Sequence, residues 1–278
     1  MASKFFNVGV IGYGLSAKIY QIPFITTVKS LKLYAVVQRT PKPDNNAELD
    51  HAVDIVVVTT APDSHLELAK LALNAGKHVV VEKPFTPTYQ EAQKLIDLAK
   101  KQSRLLTVYL TIRPAKRITA FLGNQREGID GSDDSFTVLM HYDEFMATAK
   151  AAVISPQEKQ LRFWVRGTKG TFKKFYFDVQ EEQLKSGMRP GDDGYGIEPS
   201  ERYRTLTSVQ PNGAFKTEAV PTVDPPLYTE FYSKLAEALA GEGEVSVSPE
   251  ESAAVIRLVE IAVQSSKTGR TLDVDLCS

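Results

Sequence analysis

The sequence predicts an α/β protein: an N-terminal Rossmann-type, doubly wound parallel sheet over residues 1–112, then a second α+β domain on a mostly antiparallel sheet over residues 113–278. Three observations predict it. An apolar run from Phe5 to Ile11 leads directly into Gly12-Tyr13-Gly14-Leu15-Ser16-Ala17. Short runs rich in Val, Ile and Leu then alternate with helical patterns up to residue 112, the pattern expected of a parallel sheet covered on both faces. Beyond Arg113, strand-like runs follow one another without helices, which argues for antiparallel pairing.

The first strand, Phe5–Ile11, ends in a G-x-G-x-x-A turn. There Gly12 permits the tight bend, Gly14 lets the backbone approach a pyrophosphate, and Ala17 lets the following helix pack close to the sheet. The N-terminus of that helix offers unpaired N–H groups to phosphates. The second strand, Leu31–Gln38, runs into Arg39-Thr40 with no Asp or Glu to accept from a ribose 2′-hydroxyl. Arg39 is therefore the expected partner of a 2′-phosphate, and NADP is expected in preference to NAD. The third strand, Asp54–Thr59, opens into Thr60-Ala-Pro62-Asp-Ser-His65, where Ser64-x-x-Glu67 reads as a capping box and Gly76 as the stop of the helix. The fourth, His78–Glu82, ends in Glu82-Lys83-Pro84, which places an acid and a base at the ligand edge of the sheet. Thr88-x-x-Glu91 caps a helix with the stripe Ala92, Leu95, Ile96, Ala99, and Leu105–Leu110 is the fifth strand.

In the second half, strands are predicted at Arg117–Leu122, Ser135–Tyr142, Met146–Ile154, Leu161–Arg166 and Thr171–Phe177. Gly187–Pro226, rich in Gly, Pro and Asp, reads as a long irregular excursion. Two helices close the chain: Tyr228, Phe231, Tyr232, Leu235, Ala236 and Leu239 recur at helical spacing before Gly241, and Ser248-Pro-Glu-Glu251 caps a last helix. Phe136, Val138, Met140 and Tyr142 make one strand face apolar, while Thr137, Leu139 and His141 leave the other only partly polar. Such a sheet needs two covers, and a second subunit is expected to supply one, making a homo-oligomer.

Bulk properties narrow the function classes. A net charge of −1 with dispersed Lys and Arg gives no electrostatic footprint for nucleic acid or an anionic membrane. With 42% hydrophobic and 24% charged residues, the 278-residue chain reads as soluble and globular. A single cysteine, Cys277, excludes an internal disulfide framework and a cysteine-based metal site, so no metal is expected. Without an apolar segment of spanning length or a signal-peptide core, a cytoplasmic location is expected.

The glycine turn, the Thr59-Thr60-Ala-Pro62-Asp-Ser-His65 edge and Glu82-Lys83-Pro84, in this order, resemble the Gfo/Idh/MocA family of NAD(P)-dependent oxidoreductases. The resemblance implies hydride transfer between a nicotinamide and a sugar, polyol or similar small molecule. It implies further that Lys83 lies beside the nicotinamide and the reacting hydroxyl, positioning substrate or shuttling a proton, and that a cis bond precedes Pro84. The cofactor contacts expected on these grounds are Gly12, Tyr13, Gly14, Leu15, Ser16, Ala17, Arg39, Thr40, Thr60, Pro62, His65, Glu82 and Lys83. Lys83 is also the candidate catalytic residue.

Two departures accompany the matches. Only Arg39–Val53 separate the second strand from the third, barely enough for a parallel crossover. After Thr111 the chain passes almost directly into the second domain, where the family places a last Rossmann strand and a helix with a Gly-Gly…Asp…His-x-x-Asp-like motif. His51, His65, His78 and His141 are the four histidines, and none occupies that place. Three explanations fit: the chain joins residues across omitted segments, it is a shortened isoform, or it is a non-catalytic relative. The first is favoured, because both junctions fall where family segments belong. The alternative function is a dinucleotide-binding regulator without turnover.

Overall fold

The computed structural model describes residues 4–38, 52–109, 114–128, 133–221 and 227–276. Five strands form a wholly parallel sheet in the order β2-β1-β3-β4-β5: β1 (Phe6–Ile11), β2 (Leu31–Val37), β3 (Ile55–Val58), β4 (His78–Val81) and β5 (Leu106–Val108). All four residues of β3 are fully buried, as the continuous Ile-Val-Val-Val run requires when both sheet faces are covered. Between β1 and β2 the chain makes a π-helical turn, Ala17–Gln21, that continues into α1 (Ile22–Ile25). The helices α2 (His65–Asn74) and α3 (Tyr89–Gln102) link the later strands, and Val56, Val58, Leu73, Val79, Leu95 and Ile96 join one core cluster.

At α3 the predicted capping box is present: the Thr88 hydroxyl accepts from the Glu91 amide, and the Glu91 carboxylate accepts from the Thr88 amide. At α2 it is not. Pro62–Ser64 form a 3₁₀ turn that leaves Ser64 already helical (φ −99°, ψ −6°), whereas an N-cap needs extended backbone. The Ser64 hydroxyl instead donates to the Ala61 carbonyl at 2.7 Å.

A second sheet begins with β6 (Arg117–Gly123), β7 (Ser135–His141) and β8 (Met146–Ala152), all antiparallel. A third contains β9 (Leu161–Gly167), β10 (Gly170–Phe175), β11 (Arg204–Val209) and β12 (Phe215–Val220), with α4 (Gln180–Lys185) between β10 and β11. The predicted irregular excursion is thus corrected, since it holds a hairpin. Arg204-Thr-Leu-Thr-Ser-Val209 and Phe215-Lys-Thr-Glu-Ala-Val220 alternate as strands do, around a Pro-Asn-Gly turn in which Gly213 adopts φ +80°. Glycine and proline content obscured that period.

The chain ends with α5 (Glu230–Ala240), α6 (Pro249–Thr268) and the short β13 (Leu272–Asp273), which pairs with β6. A complete capping box at Ser248 and Glu251 starts α6, and Gly269 at φ +66° ends it. Leu258, Ile261 and Ala262 of α6 pack on Ile118 and Ala120 of β6, while Ala253 and Ile256 join the core of the parallel sheet. By backbone contacts, 1–155 with 231–278 form one compact unit and 156–230 another.

Candidate active site

The carboxyl ends of β1, β2 and β3 surround a cavity of about 610 Å³ lined by Gly12, Tyr13, Gly14, Gln38, Thr59 and Thr60, among others. Gly12 sits at φ +101°, and a Cβ there would lie 2.8 Å from the Thr59 hydroxyl and 3.0 Å from the Thr59 carbonyl. Its role is to let the turn fold. Thr59 fastens the same turn, its hydroxyl lying 3.0 Å from the Ile11 carbonyl and 3.1 Å from that of Gly12. Gly14 differs: a Cβ there would meet nothing within 4 Å. The room beside it faces solvent where a pyrophosphate would approach, so the turn fits a dinucleotide. Ala17 is fully buried against the sheet, Leu15 is exposed, and Tyr13 is half exposed with the Lys18 ammonium 4.7 Å from its ring.

At the end of β4, Glu82 is buried although it carries a carboxylate. Its Oε1 accepts from the Ser16 hydroxyl and from Gln21 Nε2, both at 2.6 Å, and its Oε2 accepts from the Lys83 amide at 2.8 Å. Ser16 and Glu82, expected among the cofactor contacts, therefore bond to each other. Lys83 is exposed, its ammonium has no side-chain partner among the described residues, and the bond to Pro84 is cis. Pro62 is exposed in the neighbouring 3₁₀ turn.

His65 lies beneath this edge, 1% exposed, with Nδ1 2.8 Å from the Pro84 carbonyl and Nε2 3.1 Å from the Thr60 carbonyl. Both ring nitrogens face backbone carbonyls, so His65 packs between the loops that carry Thr60 and Lys83. His78 accepts from the Leu105 amide at 2.9 Å through Nδ1; burial, reinforced by Arg104, lowers its pKa to about 4. His141, on β7, pairs with the Thr119 hydroxyl. None of these three offers a ring nitrogen at the Lys83 edge. Arg39, Thr40 and His51 lie outside the described residues, as do 110–113 at the junction after β5.

Sequence reasoning did not single out Gln21 or Tyr232 as site residues, and named Thr59 only within the Thr59–His65 edge. A glutamine flanked by Tyr20 and Ile22 is a polar residue at an inward position, and that was the available signal for Gln21. The compact unit 156–230 has a cavity of its own, about 350 Å³, lined by Arg162, Phe172, Tyr176, Asp178, Arg204 and Tyr228 among others. Arg162 stacks on Phe163 and Phe177, and Arg204 on Phe172. The described residues contain no group of three or more His, Cys, Asp or Glu able to hold a metal, and no helix long and apolar enough to cross a membrane.

Residues 6–110 match the oxidoreductase family's NAD-binding Rossmann fold, and residues 107–275 match its C-terminal α/β domain. An uncharacterized oxidoreductase of Schizosaccharomyces pombe is 28% identical over 358 aligned positions, covering 95% of this chain and 97% of the relative. The scyllo-inositol 2-dehydrogenase (NADP⁺) IolW of Bacillus subtilis is 27% identical over 344 positions, covering 96% of this chain and 95% of that one. Both alignments are longer than the 278-residue chain, so each relative carries residues without a counterpart here. Among solved structures, the Bacillus subtilis oxidoreductase YvaA superposes with a TM-score of 0.90 at 27% identity, covering 99% of this chain and 100% of that one. With the glycine turn, the Glu82-Lys83-Pro84 edge and both halves of the chain matched, the protein belongs to the Gfo/Idh/MocA family of NAD(P)-binding oxidoreductases.

Proposed function

We propose that the protein is an NADP-linked dehydrogenase or reductase acting at a hydroxyl or carbonyl carbon of a sugar, polyol or similar small molecule. The observation that carries this reading is the exposed Lys83, without a side-chain partner among the described residues, at the carboxyl edge of the same sheet whose glycine turn leaves open room beside Gly14. When bound there, the nicotinamide supplies the hydride-accepting or hydride-donating carbon. Gly12, Tyr13, Gly14 and Thr60 would hold the dinucleotide, with Leu15 and Pro62 at the margin and Ala17 seating the helix behind them. The Lys83 ammonium has three N–H donors and no acceptor, which suits it to fix a substrate oxygen.

The polyol class is supported by the name of the inositol dehydrogenase among the relatives. NADP over NAD rests on Gln38-Arg39-Thr40. A charge-assisted bond from Arg39 to a 2′-phosphate, about 1.5–3 kcal/mol, corresponds to a preference of roughly ten- to hundredfold. Titration of the parent and of Arg39→Ala with NADPH and NADH tests it: the parent is expected to favour NADPH and the variant to lose the preference. Equal affinities in the parent would refute the assignment.

One observation favours a second reading, a dinucleotide-binding regulator. None of the three described histidines presents a free ring nitrogen at the Lys83 edge. NADPH binding without turnover across polyols, sugars and their aldehydes would select it.

A further inference from the structure

Behind Lys83 runs a buried polar chain that crosses three elements distant in sequence. Tyr232 of α5, 1% exposed, donates its hydroxyl proton to Gln21 Oε1. Gln21, at the end of the π-helical turn and fully buried, donates through Nε2 to Glu82 Oε1 at 2.6 Å. Glu82 Oε2 takes the Lys83 amide. Every orientation in this chain is forced. An ionised carboxylate only accepts, so the NH₂ end of Gln21 must face Glu82 and its carbonyl must face Tyr232. The Tyr232 hydroxyl must then donate, and burial together with the Glu82 charge holds it in the protonated form that donates, well above the ordinary tyrosine pKa. Edge contacts from Tyr232 to Phe231 and from Phe231 to Tyr109, with ring centroids 5.2 and 4.6 Å apart, lock the ring.

Stability alone does not account for this arrangement, because well-packed apolar side chains in the same volume are commonly at least as stable as buried charge. The π turn is likewise a rare backbone form, frequent at functional sites. What an apolar replacement cannot do is aim the Glu82 carboxylate, whose far oxygen holds the residue carrying the exposed ammonium.

We infer that Gln21, oriented by Tyr232, is a positioning residue: it clamps Glu82 and thereby fixes the Lys83 backbone and the adjoining Ser16 of the glycine turn. This rests on the proposed reading of that edge as the nicotinamide site. Two probes separate the two claims. The first needs no nucleotide: residue-resolved amide hydrogen exchange on the full chain, in Tyr232→Phe, which removes one oxygen, and in Gln21→Met, which keeps the volume. Exchange at the Lys83 amide is expected to quicken about tenfold in both, with Val79–Val81 unchanged. The second probe is NADPH titration. Each variant is expected to bind roughly tenfold more weakly, and Tyr232→Phe to add nothing once Gln21→Met is present, since Tyr232 acts through Gln21.

Unchanged Lys83 exchange in either folded variant would overturn the clamp, as would acceleration spread evenly along β4 or additive losses in the double variant. If Gln21→Met fails to fold, Tyr232→Phe alone decides by the same exchange criterion. Failure of the parent to bind NADPH or NADH would overturn the site reading instead, and the exchange result would still judge the clamp.

Discussion

At the scale of single residues, the two glycines of the βα turn do different work, and substitution separates them. Gly12 holds φ +101° with Thr59 atoms crowding its Cβ position, so Gly12→Ala attacks the fold. A drop in thermal midpoint of several degrees is expected, read by calorimetry. The Cβ position of Gly14 is open, so Gly14→Val is expected to keep the parent's midpoint while losing NADPH affinity at least tenfold. Parent-like affinity in Gly14→Val would remove the pyrophosphate from that turn. Lys83→Met is expected to abolish turnover with NADPH affinity within about threefold, because no bond of its ammonium supports the fold among the described residues. His78 carries a pH dependence of stability. Its folded pKa of about 4 lies below the unfolded value near 6.5, so the unfolded chain binds the extra proton between these values. Stability is unaffected above pH 6.5 and falls as pH drops toward 4, by up to about 2 kcal/mol after allowance for solvent screening. Denaturant unfolding at pH 7 and pH 5 should show a smaller loss in His78→Gln than in the parent.

At the scale of elements, the sequence was most readable where one strong local signal decided the structure. The central strands β3 and β4 were legible because their continuous Val and Ile runs admit no exposed face, and α3 and α6 because a cap with its reciprocal Glu admits one register. The reading failed where two signals competed. Ser64-x-x-Glu67 has the residues of a capping box, but Pro62 starts a helical turn two residues earlier and removes the extended backbone the box requires. At Arg204–Val220, turn residues outweighed an alternation carried by Thr rather than by large apolar side chains. The polar chain through Gln21 was invisible for another reason: Tyr232 and Gln21 lie 211 positions apart, and no local pattern pairs them. The caps give a quantitative check. Thr88→Ala removes the acceptor for the Glu91 amide and is expected to cost about 1 kcal/mol in denaturant unfolding, whereas Ser64→Ala, at a site without a cap bond, should cost less.

At the scale of the whole molecule, the sheet expected to self-associate has α6 on one face, as a sheet with two covers requires of the first. Met140 of β7 is buried, on the face that α6 covers, and Phe136 is left 41% exposed. Among the described residues, exposed apolar side chains also cluster on β9, where Leu161, Phe163, Trp164 and Val165 are each about half exposed. Sedimentation at micromolar concentration is expected to show a dimer, and Trp164→Glu to shift it toward monomer. Catalytic power depends on a different shortage. The glycine turn and the Glu82-Lys83-Pro84 edge, proposed above to hold a dinucleotide and a substrate oxygen, are present, yet no described histidine is free at that edge, and alignments of 344 and 358 positions against 278 residues mean that the relatives carry segments this chain does not. Loss of a general acid/base costs about 10²–10⁴-fold in rate, while nucleotide affinity depends on the intact glycine turn. Binding and chemistry should therefore separate. The 278-residue chain is expected to bind NADPH and to turn over polyols at least a hundredfold more slowly than the inositol dehydrogenase from Bacillus subtilis, measured side by side at saturating nucleotide. Comparable rates would show that this chain contains its own acid/base and that the absent histidine is not needed. A slow chain whose residual rate is unaffected by Lys83→Met would instead show that Lys83 takes no part in the reaction.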